Sequence, residues 1–206
     1  MAADTRLRLI LAAERLFGMH GIHAVSVRDI VEEAGQRNIS ALNYHFGTRE
    51  GLVAEVINLR RSWVDTERMR QLDELAAKGC ALGLQHIAEA LAAPLSRLMH
   101  GGENGANYIL FLSQVFVSNH LAYAPAVRGR FDAGLRRCLE AYRVLRPDMA
   151  PRAARERFRL CGRTVVYALA DWHRHTQAHD GAEQQAEFAA FETSLFGIAS
   201  SILAAG

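Results

Sequence analysis

The chain has 206 residues, half of them hydrophobic and 8% aromatic, with a formal net charge of +2. That length allows one compact core, or a small module on a larger one. So small a net charge excludes a chain that is basic throughout, so any grip on nucleic acid must come from locally placed charge.

Ala and Leu are abundant and alternating Val/Ile runs are scarce, which predicts an all-α fold. A first helix is predicted from Thr5 to His20, capped by Asp4 or Thr5, with Leu9, Ile10, Ala13, Leu16 and Phe17 as its apolar stripe. Gly21 stops it. Ser26 caps a short second helix, Val27 to Ala34, whose Ile30 and Val31 point inward. Asp29 stands three residues after the cap, where a Glu or Gln would complete a capping box. Gly35 ends this helix, and a third short one runs from about Ile39 to His45. Thr48 then caps a long fourth helix with Leu52, Val56, Leu59 and Trp63 facing inward. Further helices are expected at about 82–100, 104–120, 125–145, 151–175 and 184–204, separated by Gly and Pro breaks.

Three short helices with a tight Gly turn between the second and third describe a helix-turn-helix. Its third helix must protrude, so that its first residues reach base edges in the major groove. Gln36, Arg37, Asn38, Ile39, Ser40 and Ala41 suit that place: amides, a guanidinium and a hydroxyl read bases or phosphates. Leu42 and Phe46 face the core instead.

The run LILAAERLFGMHGIHAVSVRDIVEEAG…ALNYHFGTREGLVAEVI resembles the N-terminal domain of the tetracycline-repressor family. The resemblance covers about residues 6–57. It is carried by Ala-Ala-x-x-Leu-Phe in the first helix, Ser-x-Arg-x-Ile in the second, and Tyr-His-Phe followed by a basic residue, an acid and Leu. It implies that Arg28 reaches a base, and that Ser26 is a phosphate-contacting cap. It also implies that Tyr44, His45 and Arg49 grip phosphates. Each has a plainer reading: Tyr44 and His45 as packed rings, Arg28 and Arg37 as solvated charges. Two departures stand out. Asn43 replaces an aromatic residue that usually precedes the Tyr-His pair, and the stretch from Gly35 to Phe46 is one residue longer than the common pattern. The candidate DNA contacts are thus Ser26, Arg28, Gln36, Arg37, Asn38, Ser40, Ala41, Asn43, Tyr44, His45 and Arg49.

The division into domains is expected at residues 1–48, the DNA-binding head, and 49–206, a helical ligand-binding and dimerisation domain. In the last two helices Phe158, Val165, Leu169 and Trp172, and Phe188, Phe191, Leu195, Ile198 and Ile202, recur at helical spacing. Such stripes pack in four-helix bundles. Helix-turn-helix proteins need two reading heads, and the resemblance implies a bundle across a two-fold axis, so these residues are expected at a homodimer seam. The alternative is that both stripes face their own subunit's core. Trp63, Tyr108, Phe111, Gln114 and Tyr167 are candidate walls of an apolar effector cavity, with Phe116, Tyr123, Asn119, Arg163 and His173 as further possibilities.

The three cysteines, Cys80, Cys138 and Cys161, form no C-x-x-C pair, which suggests neither zinc nor a disulfide framework and fits a reducing cytoplasm. The N-terminal segment carries charges inside its apolar stretch, unlike a signal peptide. No run is expected to approach the ~18 apolar residues of a membrane span. His175 and His179 have a spacing that metals use, but a polar helix end explains them as well, so no metal or cofactor is expected. No phosphate-cradling Gly loop or nucleophile elbow points to an enzyme. The expected function is a sequence-specific transcription regulator, a repressor released from operator DNA by a small, largely apolar ligand. The alternative is an architectural or activating DNA-binding protein without an inducer.

Overall fold

The computed structural model describes residues 2–118, 131–176 and 182–205. Among them are nine helices and no strand: α1 (Ala2–His20), α2 (Val27–Glu33), α3 (Ser40–Phe46), α4 (Arg49–Ala77), α5 (Leu84–His100), α6 (Glu103–Val117), α7 (Ala133–Leu145), α8 (Pro151–Thr176) and α9 (Ala182–Ala204). One boundary differs from expectation. α1 begins at Ala2, so Asp4 lies in its first turn, where a carboxylate favours the helix dipole, and is not its cap. Of the helix expected at about 125–145, the described part is α7, with Phe131 at a left-handed φ of 49° just before it; residues 119–130, with Asn119 and Tyr123, lie outside the described residues.

The chain packs as two units, residues 1–62 with 101–131, and residues 63–100 with 132–206. In the first of these α6 packs with the N-terminal helices. In the first unit α1 lies along α6. Gly18 allows the contact, since a Cβ there would meet the Asn107 carbonyl and Leu110 Cβ at 3.0 Å. Phe17 and Phe111 stack with centroids 6.2 Å apart, and the Tyr108 hydroxyl donates to the Ile57 carbonyl at 3.1 Å. Leu9, Ile10, Ala13, Phe17, Ile30, Val31, Leu42, Leu52, Val53 and Val56 complete this core. Trp63, expected on the inward stripe of α4, is exposed in the second unit.

Glu14 is 1% exposed inside the first unit, with Arg60 of α4 as its partner at 3.4 Å. Burial outweighs the pull of that guanidinium and pushes the carboxyl from 4.5 up to about 7. The folded state therefore holds this proton more tightly than the unfolded chain. Its contribution is full below the unfolded pKa and is lost as pH rises through the folded one, by at most on the order of 3 kcal/mol. Wild-type protein should melt lower as pH rises from about 5 to about 8, and Glu14→Gln should flatten that slope. Equal slopes in thermal melts of the two proteins would contradict the assignment.

In the second unit α9 packs on α5 and α8. Ser96 donates to Glu192 across the α5–α9 contact. The Tyr142 hydroxyl donates to the Leu203 carbonyl at 3.1 Å. Arg146 donates to the carbonyls of Leu203, Ala204 and Ala205 at 2.8–3.0 Å, so a side chain following α7 caps the C-terminus of α9.

Contrary to expectation, one helix segment, Gln185–Ala204, has the length and mean hydropathy, 1.2, of a membrane-spanning helix. Its apolar length comes from Ala, Phe, Ile and Leu around Glu187 and Glu192.

Candidate nucleic-acid interface

The entry to α2 is fixed by a reciprocal pair. The Asp29 amide donates to Ser26 Oγ at 3.1 Å, and the Ser26 amide donates to Asp29 Oδ2 at 2.7 Å. Asp29 thus completes the capping box itself, and these Ser26 bonds hold its carboxyl below the usual range. α2 ends in a Schellman turn: the Gly35 amide donates to Glu32 and the Gln36 amide to Val31, both at 2.9 Å, with Gly35 at φ 65°. The longer turn is spent on Gln36 to Ile39. There Asn38 Oδ1 accepts the Ser40 amide at 2.9 Å and caps the start of α3 in place of a conventional cap residue.

α3 is set against α4 by close packing. Thr48 Oγ1 accepts the Gly51 amide at 3.1 Å, as a helix cap should. A Cβ on Gly51 would lie 2.3 Å from the Phe46 carbonyl, so only glycine lets the two helices meet this closely. Leu42 is buried beneath α3, whereas Phe46 is half-buried with the Arg6 guanidinium 5.5 Å from its ring. Arg6 is also ion-paired to Glu55.

Above this packing stands an outward polar face. Ser26, Arg28, Arg37, Asn38, Ser40, Asn43 and Tyr44 are exposed, and Gln36, Ala41, His45 and Arg49 are half-buried. Tyr44 is 85% exposed, against its reading as a core ring, and stands edge-on to His45 at 5.1 Å. Among the described residues Arg28 and Arg37 have no ion-pair partner, while nearby Arg15 is engaged by Glu33. Arg49 is different. Its guanidinium donates to the Val25 carbonyl at 2.8 Å and lies 5.5 Å from the Phe17 ring, so the structure gives it an inward bond ahead of any phosphate.

The candidate seam residues divide in a way the sequence did not show. Phe158, Val165, Leu169, Phe188 and Leu195 are buried in their own unit's core, Leu195 only 2% exposed, which leaves them little surface to offer a second copy. Trp172 and Phe191 stack on each other at 4.5 Å, and Ile202 is half-buried. Of the expected residues only Ile198, 53% exposed, stands clear on the outer face. Ser194, Gly197 and Ser201 of α9 are exposed at helical spacing around it; on α8, Leu160 and Tyr167 are exposed as well, Leu160 57%.

The candidate effector residues are not brought together within either unit. Tyr108 and Phe111 are core residues of the first unit, with Gln114 half-buried beside them in sequence; Trp63 and Tyr167 are exposed in the second. Two surface depressions in the second unit, one along α4 from Thr66 to Ala77 and one along α8 from Ala153 to Arg163, include none of the five. His175 Nδ1 lies 2.9 Å from the Asp171 carbonyl at a helix end, and His179 lies outside the described residues. Among the described residues no group of three or more His, Cys, Asp or Glu is placed to hold a metal.

A short helix set by a capped turn, with exposed arginines and amides on the helix before it, the turn and its own outer face, has the form of a DNA-binding helix-turn-helix. The family model "Bacterial regulatory proteins, tetR family" matches residues 9–56, and "Tetracyclin repressor-like, C-terminal domain" matches residues 89–200, more than half of the chain. The chain belongs to the tetracycline-repressor family and is a DNA-binding regulator. Solved structures agree in fold. A tetR-family transcription regulator from Shewanella sp. PV-4 aligns with TM-score 0.66 at 16% identity, covering 96% of both chains. The regulator FadR from Bacillus subtilis, in complex with stearoyl-CoA, aligns at 0.59 and 15%, covering 95% of this chain and 97% of its own. NalD, the secondary repressor of the MexAB-OprM efflux pump of Pseudomonas aeruginosa, aligns at 0.56 and 19%, covering 96% and 97%. No curated protein matches this sequence.

Proposed function

We propose that the chain is a cytoplasmic homodimeric repressor whose residues 1–48 read operator DNA and whose residues 49–206 bind an effector and hold the dimer. The observation that carries this reading is the outward face of α2, the turn and α3. It presents Arg28, Arg37, Asn38, Ser40, Asn43 and Tyr44 to solvent on a buttressed scaffold. Ser26 and Gln36 stand beside them, with Ala41 small enough to let the helix approach a base. His45 completes the phosphate-facing end. Footprinting on the region upstream of the protein's own gene tests it; protection of a two-fold-related site is expected, and uniform coating would count against it.

Arg37→Ala should relax preference at one operator position, costing roughly 1–3 kcal/mol there. An equal loss on operator and random DNA would refute its base-reading role.

A second copy is supported by α9. Only 22% of the window within Gln185–Ala204 is buried within the subunit, and Ile198 stands exposed among the small residues Ser194, Gly197 and Ser201. The proposed seam takes Ile198, with Ser194, Gly197 and Ser201 allowing close helix approach on α9, and the exposed Leu160 and Tyr167 of α8.

The effector is proposed as a largely apolar organic molecule bound within residues 60–170. FadR carries stearoyl-CoA and NalD controls an efflux pump, which supports this ligand class. A ligand that prefers one head spacing shifts the population toward it. When that spacing departs from about 34–36 Å, one turn of B-DNA, operator affinity falls.

A further inference from the structure

Asp65 and Arg68 sit one turn apart on α4, and both are buried. Each engages another helix where that helix lacks a partner of its own. α5 runs through Pro94 without breaking. Proline has no amide hydrogen, so the carbonyl four residues earlier, that of Ala90, has no helical donor. Arg68 Nε donates to that carbonyl at 2.8 Å. At the start of α7, Asp132 holds the cap position but makes no side-chain cap bond. Asp65 supplies it from α4: Oδ1 accepts the Gly134 amide at 2.9 Å. Gly134 is the second residue of α7, where a capping oxygen normally bonds. A Cβ on Gly134 would meet Asp65 Oδ1 at 2.9 Å and Arg68 Cβ at 3.2 Å, so glycine is what admits α4 here.

The two bonds have opposite polarity and different partners. α4 donates into the proline gap of α5 and accepts from the open end of α7. Apolar packing alone is non-directional and tolerates sliding, whereas these bonds fix both the rotation and the height of α4. A shift of α5 against α7 cannot keep both, so α4 must follow one helix or the other. That is a discrete choice, as a switching element requires. The same helix begins at Arg49, next to the recognition helix α3.

We propose that Asp65 and Arg68 are the positioning residues through which α5 and α7 set α4, and hence transmit effector state to DNA affinity. This rests on the ligand-responsive reading above. By linkage, DNA bound at the head must alter the helices at the other end of the coupling, so the test needs no identified effector. Hydrogen exchange is measured on the full-length protein, free and bound to the DNA fragment that footprinting protects. In the wild type, DNA should change protection around Ala90 of α5 and in the first turn of α7. Arg68→Met should abolish that change while the fragment still binds. Arg68→Lys should restore part of it. Pro94→Ala gives Ala90 a helical donor of its own, so it should melt no lower than the wild type yet reduce the α5 change at least fivefold. An undiminished change in both Arg68→Met and Pro94→Ala would overturn the inference and leave the ligand-responsive reading standing. No change in either helix of the DNA-bound wild type would overturn that reading, and the inference with it.

Discussion

Ile198→Asp is expected to give a folded monomer that has lost operator affinity by more than about a hundredfold, since two linked heads bind far more tightly than one. The carboxylate would stand on the outer face of α9, where it is hydrated in the separate subunit but desolvated in a dimer. Helix content should be retained. Leu195→Asp, three residues away, should behave differently. Leu195 is buried in the subunit's own core, and a charge there costs several kcal/mol, a large part of a domain's stability. That variant should fail to fold, whatever the oligomeric state. Circular dichroism and sedimentation of the two variants separate the cases. An Ile198→Asp protein that sediments as a dimer and binds operator as the wild type does would remove the seam from this face.

Local signals in the sequence carried the head well. Ser26, Gly35 and Thr48 each do at a helix end what their chemistry allows, and the polar run after Gly35 is outside because nothing in it favours burial. The apolar stripes of the last two helices were less informative. α8 and α9 are apolar on more than one side, and periodicity marks a buried face without saying whose atoms bury it. Phe158 and Leu195 therefore read the same as Ile198, although only Ile198 is left outside. The aromatic residues were hard to place for a related reason. Tyr108 and Phe111 belong to α6, and a helix remote in sequence from α1 gives no local sign that it will pack there. One legible signal was passed over. Pro94 lies inside an apolar helical pattern, so a carbonyl at Ala90 needs an outside donor, and a buried arginine is the group to look for.

Arg49→Ala is expected to lower both the melting temperature and the operator affinity, while leaving the salt dependence of binding almost unchanged. As a phosphate contact, Arg49 would release counterions, and its loss would flatten the log–log salt slope by about 0.9. The structure turns the guanidinium inward instead, to the Val25 carbonyl just before the capping box of α2, with the Phe17 ring beside it. A hydrogen bond from a charged group contributes roughly 1.5–3 kcal/mol, and a cation over an aromatic ring at a partly exposed site about 0.5–1 kcal/mol. If the loss falls on the DNA-competent arrangement of α2 and α3, affinity should drop about thirty- to several-hundredfold, at about 1.4 kcal/mol per decade. Arg49→Lys sharpens the distinction. Lysine keeps the charge that a phosphate needs but not the planar fork that bonds Val25 while lying over Phe17. It should therefore restore little of either loss. Binding isotherms at several salt concentrations, with thermal melts of the same proteins, decide between the roles. Full rescue by lysine, with an unchanged melting temperature in Arg49→Ala and a flattened salt slope, would return Arg49 to the phosphates.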